Sequence, residues 1–135
     1  MEKQNKNGFQ RSSFDVIERK STSNDIASIN YTFHLKNDRS GRLQKIMDII
    51  GGFGTPINTF IVDTKHPNGY EMHTICSNGI IVIQNENTER FVTALIARPQ
   101  QVKRYYEYLG LPIPIEVYVV LNKCKDNQDK GYNEW

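Results

Sequence analysis

The sequence predicts an α+β fold, an antiparallel β-meander sheet with two helices packed on one face of it. Four β-type segments follow one another between residues 58 and 97, and short turn sequences separate them. On either side of this block, apolar residues repeat at intervals of three and four rather than two. The expected order of elements is β-β-α-β-β-β-β-α-β.

The 135 residues are enough for one domain with a hydrophobic core. Residues 1–12 are polar and lack apolar periodicity, which is typical of a disordered tail. The final stretch, "NKCKDNQDKGYNEW", is polar except for Tyr132 and Trp135. We therefore expect a single domain over residues 13–122, followed by a polar C-terminal tail over residues 123–135.

Two strands are predicted before the first helix. Weak alternation in "FDVIERK", residues 14–20, indicates the first, and the turn-forming sequence "STSND" follows it. Residues 29–36, "INYTFHLK", alternate strictly, with apolar side chains on one face and polar ones, including His34, on the other. Such strict alternation predicts a half-buried strand. A helix is the alternative for the same residues.

The first helix is predicted in "SGRLQKIMDIIGG", residues 40–52. Ser40 or Asp38 can cap its start, and Gly51 and Gly52 follow its end. The spacing of its apolar residues places them on one helical face. These residues are Leu43, Ile46, Met47 and Ile50.

The meander begins with two strands around an Asn-Gly turn. The segments "NTFIVDT" and "YEMHTIC" flank "HPNG", and Asn-Gly between two β-type runs is a strong hairpin signal. A second Asn-Gly, in "SNG", leads into "IIVIQN", and "ENTE" turns the chain into "RFVTALIA". Four consecutive strands joined by tight turns form an antiparallel meander.

A second helix and a last strand complete the prediction. Pro99 suits the first turn of a helix, and Gly110 follows its last periodic residue. The apolar residues with helical spacing between them are Val102, Tyr105, Tyr106 and Leu109. The sequence "LPIP" then interrupts the chain, and the β-branched run "IEVYVVL", residues 115–121, predicts the last strand.

Charge and composition narrow the classes of function. Residues 13–122 carry eleven basic and eleven acidic side chains, so only a local patch, not bulk charge, could favour nucleic acid. No apolar run is long enough to span a bilayer, and the first residues lack the apolar core of a secretory signal. We expect no membrane association, and we expect Cys76 and Cys124 to be free thiols in a reducing cytoplasm.

The sequence lacks the common nucleotide-binding, zinc-protease and serine-hydrolase motifs. Its histidines are scattered, and no carboxylates cluster near them. They are His34, His66 and His73. We therefore expect no metal and no other cofactor, which leaves metal-independent chemistry or simple binding.

A first candidate site contains His34, Lys36, Arg39 and Arg42. Histidine can transfer a proton near neutral pH, and arginine can bind a phosphate through two hydrogen bonds. Metal-free RNA cleavage, in which the 2′-hydroxyl attacks the adjacent phosphate, needs both tasks. The structural alternative is a polar strand face followed by a solvated helix start.

A second candidate group contains Glu71, His73 and Thr93. Glu71 and His73 are two residues apart in a predicted strand, so both side chains can leave the same side of the sheet. Thr93 interrupts the apolar strand "FVTALIA", where a buried hydroxyl needs a partner. The structural alternative is a hydrogen bond between strands.

A third candidate group lies at the start of the second predicted helix. It contains Arg98, Gln101, Lys103, Arg104 and Tyr105. Free N–H groups and the helix dipole attract anions at a helix N-terminus. Arg98 places a cation there, which is unfavourable unless an anion binds. The structural alternative is that Lys103 and Arg104 form the solvated face of the helix.

Two stretches, "FHLKNDRSGRLQKI" and "HTICSNGIIVIQNENTERFVTALIARPQQVKRYY", together resemble the barnase–EndoU–colicin–RelE superfamily. The likeness is to its small nuclease-like domains from phages and toxin systems. It implies helices before a four-stranded meander, and RNA cleavage without a metal. His34 would match the histidine near the helix, Arg39 or Arg42 the phosphate-binding arginine, and Thr93 and Arg98 the hydroxyl and basic residues of the late strand.

The chain departs from this family in two places. The alternating segment "INYTFHLK" suits a strand where the family more often has a helix. The predicted helix and strand over residues 100–121 also lie outside the simplest version of the fold.

Three functions follow from these observations. The first is a metal-independent ribonuclease. Its catalytic residues would be His34, Arg39, His73 and Thr93. Its RNA-binding residues would be Arg42, Arg98, Gln101, Lys103 and Arg104. The second is a small phage-type inhibitor that blocks a host nucleic-acid-handling or defence protein without catalysis. The third is a degenerate nuclease fold that binds RNA without cutting it. The expected partner is RNA or a host protein, and the expected location is the cytoplasm of a bacterium or a phage-infected host cell.

Overall fold

The structure, a computed structural model, describes residues 15–20, 29–66 and 69–132. Its strands are β1 (Asp15–Lys20), β2 (Pro56–His66), β3 (Gly69–Cys76), β4 (Ile80–Asn85) and β5 (Phe91–Ile96). Its helices are α1 (Thr32–Lys36), α2 (Arg42–Lys45), α3 (Pro99–Tyr108) and α4 (Ile115–Asp129). A π-helical turn, Ile46–Ile50, continues α2. The predicted disordered tail over residues 1–12 lies outside the described residues.

The five strands form one antiparallel sheet in the order β1-β2-β3-β4-β5, which confirms the predicted α+β fold and its meander. One row of paired residues crosses four of these strands: Phe60, His73, Ile83 and Thr93. The second Asn-Gly turn is also confirmed, because Gly79 has a φ of +80° and donates its N–H to the Cys76 carbonyl at 3.1 Å. The first one includes Asn68, which lies outside the described residues.

Helices cover both faces of the sheet, so the prediction that they pack on one face was wrong. The α3/α4 face is the side on which Phe60, Ile75, Ile83 and Leu95 pack against Tyr105, Tyr106, Val117 and Val120. The α1/α2 face is the side on which Ile80, Val82, Ala94 and Ile96 pack against Leu43, Ile46 and Phe53. The first five residues of β4 are all buried, as expected for a strand covered on both sides.

The predicted strand over residues 29–36 was wrong, and its helical alternative is confirmed. The Leu35 N–H donates to the Tyr31 carbonyl at 2.9 Å, as in an α-helix. Tyr31 and Leu35 are four residues apart, so both reach the core of the α1/α2 face. Phe33, between them, points away and is 70% exposed. The alternating pattern was misleading because the segment is short. Most of its apolar positions fit the helical period as well as the strand period of two.

The predicted last strand, residues 115–121, was also wrong, because these residues begin α4. The buried residues of α4 have helical spacing and join the core of the α3/α4 face. They are Val117, Val120, Leu121 and Cys124. The helix runs past residue 122, where the sequence had indicated a polar tail, and Asn127 is buried and donates to the Asn78 carbonyl at 3.0 Å. Packing against the sheet therefore outweighs the β-propensity of "VYVV".

The predicted helix over residues 40–52 is confirmed, and its loop supplies two caps. The Ser40 hydroxyl accepts a hydrogen bond from the Arg42 N–H at 3.1 Å, and Asp38 Oδ2 accepts one from the Gln44 N–H at 2.9 Å. Gly51, with a φ of +95°, ends the π-helical turn. No helix in the described ranges is both long enough and apolar enough to cross a bilayer.

Candidate functional site

Four of the predicted site residues line one small pocket at the β5 edge of the sheet, which we call the edge pocket. They are His34, Arg39, Arg42 and Thr93. The histidine comes from α1, the arginines from the loop and first residue of α2, and the threonine from β5. The pocket volume is about 170 Å³. Pockets for drug-sized ligands begin at roughly 300 Å³, so this one suits a single small group such as a phosphate.

The ring of His34 lies between two aromatic rings. Its centroid is 5.6 Å from that of Phe33 and 5.0 Å from that of Phe91, and both pairs meet edge to face. Its Nδ1 is buried and has no hydrogen-bond partner among the residues that the structure describes. Buried side-chain nitrogens without a partner are uncommon in proteins. The burial of Nδ1 leaves Nε2 as the ring nitrogen through which His34 could contact a group in the edge pocket.

Arg42 is fixed against the edge strand. Its Nε donates to the Ala94 carbonyl at 2.9 Å, and its Nη2 donates to the Thr93 hydroxyl at 3.1 Å. Two bonds from one planar guanidinium set its orientation as well as its position. The hydroxyl that interrupts the apolar strand therefore has a partner, and that partner is a cation from the opposite wall of the pocket.

Arg39, unlike Arg42, is not held against the edge strand by hydrogen bonds. It is exposed, and its guanidinium makes no hydrogen bond or ion pair with the described residues. The pocket also contains one carboxylate, that of Asp38, but its two oxygens accept bonds from the Ser40 hydroxyl and the Gln44 N–H. Two arginines against one internally bonded carboxylate leave the edge pocket with a net positive charge.

The second predicted group, Glu71, His73 and Thr93, is divided in the structure. Glu71 and His73 do share the α3/α4 face, where His73 Nε2 lies 2.9 Å from a Glu71 oxygen. His73 Nδ1 lies 2.7 Å from the Tyr105 hydroxyl on α3. Thr93 is two strands away in the same row, at about 10 Å for neighbouring strands spaced about 4.8 Å apart. We call Glu71, His73 and Tyr105 the buried relay.

The buried relay is closed to large groups. The His73 side chain is 0% exposed, and that of Glu71 is 16% exposed at the outer end of the chain of bonds. Tyr105 is 3% exposed and stacks on Phe60, with ring centroids 5.1 Å apart. Both ring nitrogens of His73 have partners, so this histidine is an integral part of the core under α3.

The third predicted group, at the start of α3, lies away from the edge pocket. Arg98 follows Thr93 by five residues, which is about 16 Å at about 3.3 Å per residue of strand. The Gln101 side chain accepts the Arg98 N–H at 2.8 Å, and the Gln101 and Val102 N–H groups donate to the Arg98 carbonyl. Gln101 therefore caps the helix, and few N–H groups remain there for an anion, since Pro99 has none.

The two other cations of this group lie on the outer side of α3, whereas its fifth member, Tyr105, does not. Lys103 is half-buried and Arg104 is exposed, whereas Val102, Tyr105 and Tyr106 face the sheet. This arrangement matches the solvated-face alternative for the two cations. Arg98 is half-buried, and its guanidinium makes no hydrogen bond or ion pair with the described residues.

Two features of these sites were missed in the sequence. The first is the bond from Tyr105 to His73, since Tyr105 was interpreted mainly as packing. A buried tyrosine hydroxyl usually has a partner, which is a signal that could have paired it with a histidine. The second is Phe33, whose exposure follows from the helical form of α1. No signal in the alternating pattern distinguishes it from its buried neighbours.

Neither cysteine of the chain is a source of reactivity. Cys76 and Cys124 are free and buried, which confirms the prediction of free thiols. Burial raises the pKa of each thiol to about 12, so neither forms the thiolate that a nucleophile needs at neutral pH. In the parts of the chain that the structure describes, no three histidine, cysteine, aspartate or glutamate side chains are grouped to hold a metal ion.

Comparison with known proteins gives no relative from which a function could be transferred. No family model, no curated protein and no solved structure matches the chain.

Proposed function

We propose that the protein is a metal-independent endoribonuclease whose active site is the edge pocket. The observation that supports this most directly is the meeting of His34, Arg39, Arg42 and Thr93 around one pocket of phosphate size. Thr93 lies 51 positions from Arg42 in the sequence, and the fold of α1 and α2 against β5 brings it to the other three residues. One proton-transfer group and two phosphate-binding cations can supply the two tasks of RNA cleavage without a metal, proton transfer and charge stabilisation.

In the proposed reaction, RNA supplies its own nucleophile. His34, with its proton on Nδ1, accepts the 2′-hydroxyl proton at Nε2. The 2′-oxygen bonds to the adjacent phosphorus, and the bond from phosphorus to the 5′-oxygen breaks. The products are a 2′,3′-cyclic phosphate and a 5′-hydroxyl, whose proton comes from water. His34 then returns its extra proton to solvent.

The arginines stabilise the charge that develops on the phosphoryl oxygens. Arg39 is exposed and makes no bond with the described residues, whereas Arg42 is held in place by Thr93 and Ala94. Cations that are fixed before the reaction lower the barrier without a cost of reorganisation at the moment of reaction. Thr93 thus acts through Arg42 as a positioning residue. His73 has no role in this reaction, because its ring is buried and both nitrogens are bonded.

The test uses labelled RNA incubated with the purified protein in EDTA. Cleavage that leaves cyclic-phosphate ends, and that disappears in His34→Ala, is the expected result. Thr32→Ala is the matched control, since Thr32 is exposed on the same helix and does not line the edge pocket. Intact RNA across single-stranded, structured and duplex substrates would exclude the ribonuclease. RNA that binds in the edge pocket but stays intact would indicate a nuclease-like fold that has lost catalysis.

A second function, a small binding protein that blocks another protein, has its own supporting observation. Three apolar side chains of α4 face solvent at helical spacing: Ile115, Tyr118 and Val119 are 83%, 53% and 67% exposed. Such a contiguous apolar face is more typical of a protein contact than scattered single residues are. It lies on the outer side of α4, away from the edge pocket. This candidate therefore does not need the residues of the ribonuclease proposal.

The two functions can be separated with one pair of variants. Val119→Glu places a charge in the apolar face of α4, and Gln128→Glu places one on an exposed position near the end of the same helix. If the protein is an inhibitor, a stoichiometric partner captured from bacterial lysate should be lost with Val119→Glu and kept with Gln128→Glu. Unchanged RNA cleavage in Val119→Glu, with no partner captured by the parent protein, favours the ribonuclease.

A further inference from the structure

Phe33 is exposed in a way that the other described phenylalanines are not. It is 70% exposed, whereas Phe53, Phe60 and Phe91 are at most 6% exposed. Its ring touches that of His34 edge to face, so it lies beside the edge pocket without lining it. The fold therefore presents one large, uncharged π-surface next to the residues that the proposed reaction uses.

Two exposed cations follow Phe33 closely in the chain. Lys36, one turn further along α1, and Arg39, in the following loop, are both exposed. Neither makes an ion pair or hydrogen bond with the described residues. The nearest carboxylate in the pocket, that of Asp38, is bonded to Ser40 and Gln44. An aromatic face next to unpaired cations is the combination by which proteins bind single-stranded nucleic acid: the ring stacks a base and the cations bind the backbone.

We infer that Phe33 is a stacking platform for an unpaired base of the substrate, and that the substrate is therefore single-stranded RNA. This inference rests on the proposed ribonuclease function, whose phosphate would lie in the edge pocket beside His34. The base next to that phosphate would stack on Phe33. In a duplex, every base is already paired and stacked, so its face cannot reach the ring. The histidine, which touches both the pocket and the ring, joins the two parts of the site.

The test measures the affinity of a short 2′-O-methyl RNA, which cannot be cleaved by its own 2′-oxygen. Phe33→Ala should weaken binding by roughly 5- to 150-fold, the loss expected for one stacked base. Phe33→Leu, which keeps apolar volume but has no π-face, should weaken binding nearly as much. Ile49→Ala is the matched control, because Ile49 is an exposed apolar residue of the neighbouring helical turn and lies outside the edge pocket.

A fluorescent version of the platform gives an independent measurement. Trp135 is the one tryptophan in the sequence. Phe33→Trp in a Trp135→Phe background therefore reports on the ring position alone. Its fluorescence should be quenched when the single-stranded probe binds, and the same sequence in a duplex should bind more weakly and quench little. Equal binding of duplex and single strand would overturn the single-stranded assignment.

The outcomes separate this inference from the function on which it rests. Wild-type affinity in Phe33→Leu would overturn stacking, because apolar contact alone would then explain the site. Cleavage that depends on His34 but is unaffected by Phe33→Ala would overturn the platform and leave the ribonuclease standing. If the parent protein neither binds the probe nor cleaves RNA, the ribonuclease itself is excluded, and the platform with it.

Discussion

The edge pocket and the buried relay each contain a histidine, and the two histidines differ in how their nitrogens are satisfied. His73 lies under α3 with both ring nitrogens bonded, to Glu71 and Tyr105. His34 lies on α1, which covers the other face of the sheet, and its buried Nδ1 has no partner in the described part of the chain. Both are adjacent to aromatic rings and to strands of the same sheet. In the sequence, the two looked equally suitable as catalytic residues.

This difference teaches how to separate a structural histidine from a functional one. A fully bonded, buried imidazole adds hydrogen bonds to the core and is locked by them. An imidazole with an unpartnered nitrogen is less favourable to fold around, so the position of His34 beside two arginines and a pocket supports its proposed role. Substitutions should therefore affect stability in the buried relay and activity in the edge pocket.

The largest expected effect is the loss of RNA cleavage in His34→Ala. Removing a general base typically reduces the rate by about 10²- to 10⁴-fold. The melting temperature should fall by at most about 5 °C, since only ring contacts with Phe33 and Phe91 are lost and no hydrogen bond is broken. The measurements are single-turnover cleavage and thermal unfolding monitored by circular dichroism. A large fall in stability with intact cleavage would reverse the assignment of the two histidines.

The next effect is on stability, in His73→Ala. This substitution leaves the Tyr105 hydroxyl and the Glu71 carboxylate without their common partner in a buried site. We expect the free energy of unfolding to fall by about 3 kcal/mol. That loss corresponds to a fall in the melting temperature of about 10 °C. Denaturant titration measures it, and the cleavage rate of the folded fraction should stay within about twofold of the parent.

A graded variant checks that the relay, and not general packing, is responsible for this loss. Tyr105→Phe removes one hydroxyl and keeps the ring that stacks on Phe60. It should cost about 1 kcal/mol, the net value of a typical hydrogen bond. If Tyr105→Phe costs nothing while His73→Ala costs several kilocalories, the bond between Tyr105 and His73 contributes little, and cavity formation explains the rest.

The two arginines of the edge pocket allow the same comparison, between a bonded and an unbonded side chain, within one site. Arg42 makes two hydrogen bonds to β5, and Arg39 makes none with the described residues. Arg42→Ala should therefore lower both cleavage and stability, the latter by about 1–2 kcal/mol. Arg39→Ala should lower cleavage and leave the melting temperature unchanged. Arg42→Lys tests the geometry, because lysine keeps the charge but cannot reproduce the planar pair of bonds.

Much of the fold could be predicted because its signals are local. Asn78-Gly79 allows only a few turn types, and Pro99 allows the start of a helix but not its interior, so these boundaries were correct. The two wrong strands contain β-branched or alternating residues whose final structure depends on distant partners. Val117 and Val120 are helical because they pack against the sheet, and that packing is absent from the sequence pattern.

The residue pattern predicted which types of residue form the candidate site. It did not predict which of those residues lie together. Basic residues near His34 were visible as a cluster of charge, but only the family resemblance, and no residue pattern, placed Arg42 and Thr93 in one site across 51 positions. That contact exists because α1 and α2 pack on the second face of the sheet, which the sequence analysis left uncovered. Conversely, Thr93 and His73 were grouped by chemistry, and the sheet places Ile83 between them.

The smallest expected effect is that of Arg98→Ala, and it tests where the RNA-binding surface ends. Arg98 has no partner among the described residues, but it lies about 16 Å along the chain from Thr93, and Gln101 already caps α3. A half-buried charge at this distance should change RNA affinity by at most about fivefold. If it contacts one phosphate, the dependence of log affinity on log salt should fall by about one unit of slope or slightly less. Fluorescence anisotropy across a salt series measures both quantities. A loss of tenfold or more would extend the site from the edge pocket to the start of α3, because only a directly bound phosphate explains so large a dependence on one distant cation.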